Sequence, residues 1–155
     1  MVRSATGAPA DLRRFVAGSA AALDIHVREL APEQWDATVR SARGREIPAV
    51  EVPWMRAREV WLHAIDLDAG AGAEQLPEDF SDTLIDDVLG FFANVPDAPA
   101  LRLRSETSGR EWVLRDGPRA GQIGGPSPAL AAWLTGRSTG GDLRAARLLG
   151  LPPWL

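Results

Sequence analysis

Glu59 and His63 stand four apart in the stretch PWMRAREVWLHAIDLDAG (residues 53–70), and Asp66 follows three residues later. On a helix, steps of three and four bring side chains to one face. A carboxylate and an imidazole one turn apart can offer an oxygen and a nitrogen to a single zinc-like ion. The same spacing also suits a solvent-facing Glu–His pair worth a few tenths of a kcal/mol, and taken alone it favours that plainer reading. The other histidine, His26, has only Glu29 nearby, and a simple salt bridge accounts for it.

The missing residue types narrow the chemistry further. With no cysteine, the chain has no thiol nucleophile, disulfide or thiolate ligand, so any thiol in the chemistry must come from a small molecule. All 17 basic residues are arginine, which removes lysine nucleophiles and Schiff bases, and the absence of tyrosine removes a phenolic acid. A formal charge of -4 argues against a nucleic-acid partner. No apolar run reaches the length of a membrane span and the first residues lack a secretion-signal core, so no membrane is expected and cytoplasmic residence is the default.

The elements that must position these residues follow from periodicity. Pro53 suits a first helical turn and Gly70 a stop, giving a helix of four to five turns with Trp54, Trp61, Leu62 and Ile65 as its apolar stripe. Upstream, Leu12, Phe15, Val16, Ala20, Leu23, Val27 and Leu30 predict an amphipathic helix over Pro9 to Leu30 with a core-facing stripe, and Asp11 or Ser4 near its start. A turn at Ala31 to Trp35 follows. Thr38-Val39-Arg40 and Glu46-Ile47-Pro48 flank a Gly-containing connection and read as a small hairpin.

The small, polar run at 71–75 marks the expected domain boundary, with 1–73 before it and 74–155 after. A helix from Leu76 to about Asn94 points Phe80, Leu84, Val88, Leu89 and Phe92 inward, and Asp79, Asp82, Asp86 and Asp87 toward solvent. From Ala100 the period becomes two. Leu101 to Ser105 and Arg110 to Arg115 predict a hairpin, Gly121 to Gly124 a third strand, and Pro126 to Gly136 a helix. Arg137 follows, where an arginine capping helix-end carbonyls is the plain expectation. The tail LLGLPPWL should pack back on the sheet. The fold class expected is α+β.

Taken together, REIPAVEVPWMRAREVWLHAIDLDAG, LPEDF, PALRLRSETSGREWVL, ALAAWLTGR and a terminal LPPW resemble the mycothiol-dependent maleylpyruvate isomerase family over essentially the whole chain. The resemblance implies a partial DinB-like helical bundle followed by a small sterol-carrier-like α+β domain. By motif position it implies zinc, or another divalent metal, on Glu59 and His63, and a catalytic role for Arg137. It also implies mycothiol as thiol partner and a small-molecule substrate, with cis–trans isomerisation by thiolate addition and elimination. Family members carry two further helices before the one at Pro9, the second bringing another zinc histidine, and no residue here matches that ligand. An incomplete bundle with exposed apolar faces would favour a homo-oligomer. Two alternatives remain at this level: a thiol S-transferase acting on electrophiles, and a non-catalytic oligomeric binding module, whose second half can take an apolar ligand.

Overall fold

The structure, a computed structural model, describes residues 7–41 and 44–154; Ser4, part of the 42–43 connection and the final leucine of the tail lie outside them. The chain divides into two compact units, Met1–Met55 and Arg56–Leu155. Among the described residues no helix is long and apolar enough to cross a membrane.

In the first unit, α1 spans Pro9–Glu29, with Pro9 at its first position, where a missing N–H costs nothing. The helix is where periodicity placed it, but none of its residues is buried, and Phe15 is 68% exposed. The expectation of a core-facing stripe is therefore corrected: spacing dictates an apolar side, while burial depends on a covering surface. His26 turns Nδ1 to the Ala22 carbonyl at 2.6 Å, within its own helix, where a salt bridge to Glu29 was expected. A 3-10 turn over Pro32–Asp36 leads to β1 (Thr38–Arg40) and β2 (Glu46–Pro48), which pair antiparallel with Val39 opposite Ile47. The predicted hairpin is present.

Helix α2 runs over Glu51–Asp66, two residues earlier at its start and four earlier at its end than Pro53 and Gly70 suggest. Pro53 still falls within the first turn. The end comes early because Asp68 already adopts φ 48, before Gly70 at φ 95.

The second unit holds the main core. Helix α3 (Glu78–Phe92) buries Phe80, Leu84, Val88, Leu89 and Phe92, as its 3.6-residue period predicts. Strands β3 (Leu101–Ser105), β4 (Glu111–Leu114), β5 (Gly121–Gly125) and the two-residue β6 (Arg144–Ala145) form one sheet in the order β4-β3-β5-β6. β3 pairs antiparallel with β4 and parallel with β5, so Leu103 faces Trp112 on one side and Ile123 on the other. Helix α4 (Ser127–Leu134) follows β5 and packs with α3 against the sheet face that carries Leu101, Leu103 and Ile123. Each fully buried large apolar side chain contributes about 1.5–3 kcal/mol. The opposite sheet face presents Arg102, Arg104, Val113 and Gln122 to solvent.

The acidic face of α3 differs from expectation. Asp79 and Asp86 are exposed as expected, Asp86 also accepting from Arg110 and the Trp112 indole, but Asp82 is buried and accepts from Ser127, and Asp87 is half-buried and accepts from Arg58. Each of these three carboxylates has found a long-range donor, which a charge pattern within one helix cannot reveal. The C-terminal tail divides its packing: Leu149 lies over Gly121 of β5, while Trp154, 7% exposed, sits beneath the Arg58 guanidinium of α2.

Candidate metal and anion site

Glu59 and His63 project from the same face of α2 and meet: His63 Nε2 lies 3.0 Å from Glu59 Oε2. The other ring nitrogen, Nδ1, lies 3.1 Å from Asp66 Oδ2. Helical geometry explains both contacts, since residues three and four apart are surface neighbours. The His63 side chain is 66% exposed and that of Glu59 50%, so the pair opens to solvent.

Asp66 is the hinge of the group. Arg137 Nε donates to its Oδ1 and Nη2 to its Oδ2, each at 2.8 Å, in a two-pronged contact between residues 71 apart in sequence. The guanidinium hydrogen bonds hold the Asp66 carboxyl below the usual carboxylate range; slight burial opposes this, and the His63 contact adds to it. Arg137 Nη1 donates to the carbonyl of Thr135 at 3.1 Å, so the helix-capping expectation is met in part. One N–H on each terminal nitrogen of Arg137 remains for a ligand.

The backbone aims Arg137. At the end of α4, Gly136 adopts φ 75, its N–H bonds to the Trp133 carbonyl at 3.0 Å, and the Arg137 N–H bonds to the Ala132 carbonyl at 2.8 Å. These are the paired bonds of a Schellman turn. The chain reverses there and Arg137 points to the last turn of α2.

Arg58 lies on the same helix, one residue before Glu59. It donates from Nη1 to Asp87 at 2.6 Å, its guanidinium lies 5.3 Å from the Trp154 ring centroid, and Nη2 comes within 4.0 Å of Glu59 Oε1. No spacing in the sequence signals these contacts, because Asp87 and Trp154 belong to distant segments.

A carboxylate oxygen and an imidazole nitrogen are of the type that zinc takes, and here they contact each other directly at 3.0 Å. They are two donors, whereas catalytic zinc ordinarily takes three from the protein. Among the described residues, no group of three His, Cys, Asp or Glu is placed to hold a metal.

The sequence profile of the mycothiol maleylpyruvate isomerase N-terminal domain matches residues 2–68. A crystal structure of the mycothiol-dependent maleylpyruvate isomerase superposes with a TM-score of 0.82 at 30% identity, covering 96% of this chain and 62% of that one. Residues 2–68 thus carry the N-terminal domain of this family, and 96% of the chain superposes on its isomerase. A single-site mutant of that isomerase gives the same match, with a TM-score of 0.82, 30% identity and the same coverage. No curated protein matches. The α+β architecture agrees with that structure, and the chain spans 62% of its length.

Proposed function

We propose that the chain acts in mycothiol-dependent cis–trans isomerisation of the maleylpyruvate type, at a site built from Glu59, His63, Asp66 and Arg137. The observation that supports this reading best is the junction at Asp66. It joins two candidate cation donors on α2 to an arginine at the end of α4.

A divalent cation such as zinc, held by Glu59 Oε2 and His63 Nε2, would favour the thiolate form of a thiol beside it. Mycothiol would supply the thiol that a chain without cysteine lacks, adding to the cis double bond to leave a single bond free to rotate, and departing to leave the trans isomer. The protein's own part is binding and orientation. Arg137, 19% exposed, keeps one N–H on each terminal nitrogen for a substrate carboxylate or for negative charge that develops on addition. Asp66 holds Arg137 in place and lies 3.1 Å from His63 Nδ1, so the anion-binding and cation-binding groups share one anchor.

The test supplies purified protein with maleylpyruvate and mycothiol, with and without zinc, and follows product and bound metal. Isomerisation that needs both additions, and that falls roughly 100-fold or more in R137A, is expected. No turnover under any of these conditions overturns the reading. Turnover of a general electrophile but not of maleylpyruvate redirects it to a thiol S-transferase.

A further inference from the structure

We infer that the open face of the sheet carries a separate binding site: a seat for a small oxyanion, phosphate or carboxylate, over Gly124 and between the guanidinium groups of Arg104 and Arg144. It shares no residue with the cluster at Asp66.

Strand β5 contains three glycines, and packing within the chain accounts for two of them. A Cβ at Gly121 would meet the Leu149 side chain at 3.0 Å, and one at Gly125 would meet that of Leu143 at 2.6 Å. A Cβ at Gly124 would come no closer than 3.7 Å to Glu106 and 3.8 Å to the Arg104 carbonyl, which is ordinary contact, and the φ of Gly124 is not positive. Glycine weakens the interior of a strand, so a bare position that the fold itself does not require marks a place where something from outside approaches the backbone closely.

The neighbours of Gly124 give the chemistry of what approaches. In register across the sheet, Arg104 of β3 and Arg144 of β6 stand on either side of it. Adjacent strands lie about 4.8 Å apart, so the two arginines leave the sheet about 10 Å apart with no side chain between them. They line a groove of about 330 Å³ whose charged lining is three arginines and one glutamate. Arg102 is held there by both oxygens of Asp116, which leaves Arg104 and Arg144 for a ligand. The carboxylate nearest to Arg104 is that of Glu111, at 3.8 Å, beyond hydrogen-bond range.

The chain brings one carboxylate of its own to the seat. Glu106 Oε1 lies 3.1 Å from Arg144 Nη1 and is the atom nearest to where a Gly124 Cβ would be. That oxygen stands where a ligand oxygen would, so Glu106 competes with an incoming anion. An oxyanion centred over Gly124 can accept from both guanidinium groups, which gives it the advantage.

Titrating inorganic phosphate, and acetate in parallel, into ¹⁵N-labelled protein at constant ionic strength, with chloride as reference, follows the Gly124 amide and the Arg104 and Arg144 side chains. Saturable shifts at these three residues with phosphate or acetate, and none with chloride, are expected; the tighter of the two assigns the seat to a phosphate or a carboxylate group. Affinity should fall roughly 10-fold in R104Q and in R144Q, rise in E106Q, and be lost in G124A, which should melt no lower than the parent. Shifts that do not saturate, shifts matched by chloride, or a G124A protein that binds as the parent does overturn the inference. So does a G124A protein that melts well below the parent, because the fold would then account for the glycine.

Discussion

Ser127 donates its hydroxyl to Asp82 Oδ1 at 2.6 Å, and the two side chains are 0% and 6% exposed. Ser105 Oγ accepts from the backbone N–H groups of Thr107 and Ser108, at 3.2 and 3.0 Å, and lies 2.6 Å from Ser127 Oγ. Because Ser105 already accepts twice, its own hydrogen points to Ser127, whose hydrogen in turn points to Asp82. The result is a one-way chain of donors that ends on a buried carboxylate and ties together α3, β3 and the start of α4.

Breaking this chain should be costly. S127A removes the donor to a buried carboxylate and is expected to lower stability by about 1–3 kcal/mol. Chemical denaturation measures it. The loss in the D82N/S127A double variant should be smaller than the sum of the single losses, because both act on one network. Additive losses would mean that the two residues are independent.

This network also marks the limit of what the sequence discloses. The period of α3 located its buried apolar residues, and the alternation of Leu101, Leu103 and Ser105 located β3, because burial of one face writes a repeat into the chain. Asp82 follows the same helical stripe, yet its charge argued for solvent. Its partner Ser127 is 45 residues away, and no local pattern carries that distance. The candidate site divides in the same way. The Glu59–His63 contact follows from four-residue spacing, while the Asp66–Arg137 contact depends on how α2 and α4 end. Strand β6, only two residues long, is below the length at which alternation can be seen.

Arg115 provides a second test. At φ 54 it folds back so that Nη1 donates to the carbonyls of Pro96 and Ala98, at 2.7 and 2.8 Å, and Nη2 to those of Ala93 and Val95, at 3.3 and 2.5 Å. One guanidinium satisfies carbonyls at the end of α3 and in the turn after it. R115A loses these bonds and keeps a side chain in the left-handed region, whereas R115G loses the bonds alone. Thermal denaturation should rank the parent above R115G, and R115G above R115A by about 1 kcal/mol. Equal melting of the two variants would show that the backbone stores no strain there.

Asp66 predicts a pH dependence. Its folded-state pKa is depressed, chiefly by the hydrogen bonds from Arg137. The unfolded state therefore holds its proton more tightly, and stability rises with pH where Asp66 titrates. The contribution is complete above the ordinary aspartate value of about 3.9 and fades as pH falls through the lower folded-state value. At neutral pH the parent should melt above D66N, and the gap should close in acid. A gap that stays constant to strongly acidic pH would contradict this assignment.

The turn at Gly136 separates direction from identity at position 137. Because main-chain bonds to Ala132 and Trp133 settle where that side chain leaves the helix, another residue placed there would set out along the same line. The scaffold thus works like a socket. Exchanging its occupant changes the group presented beside Asp66 without any redesign of the surrounding fold.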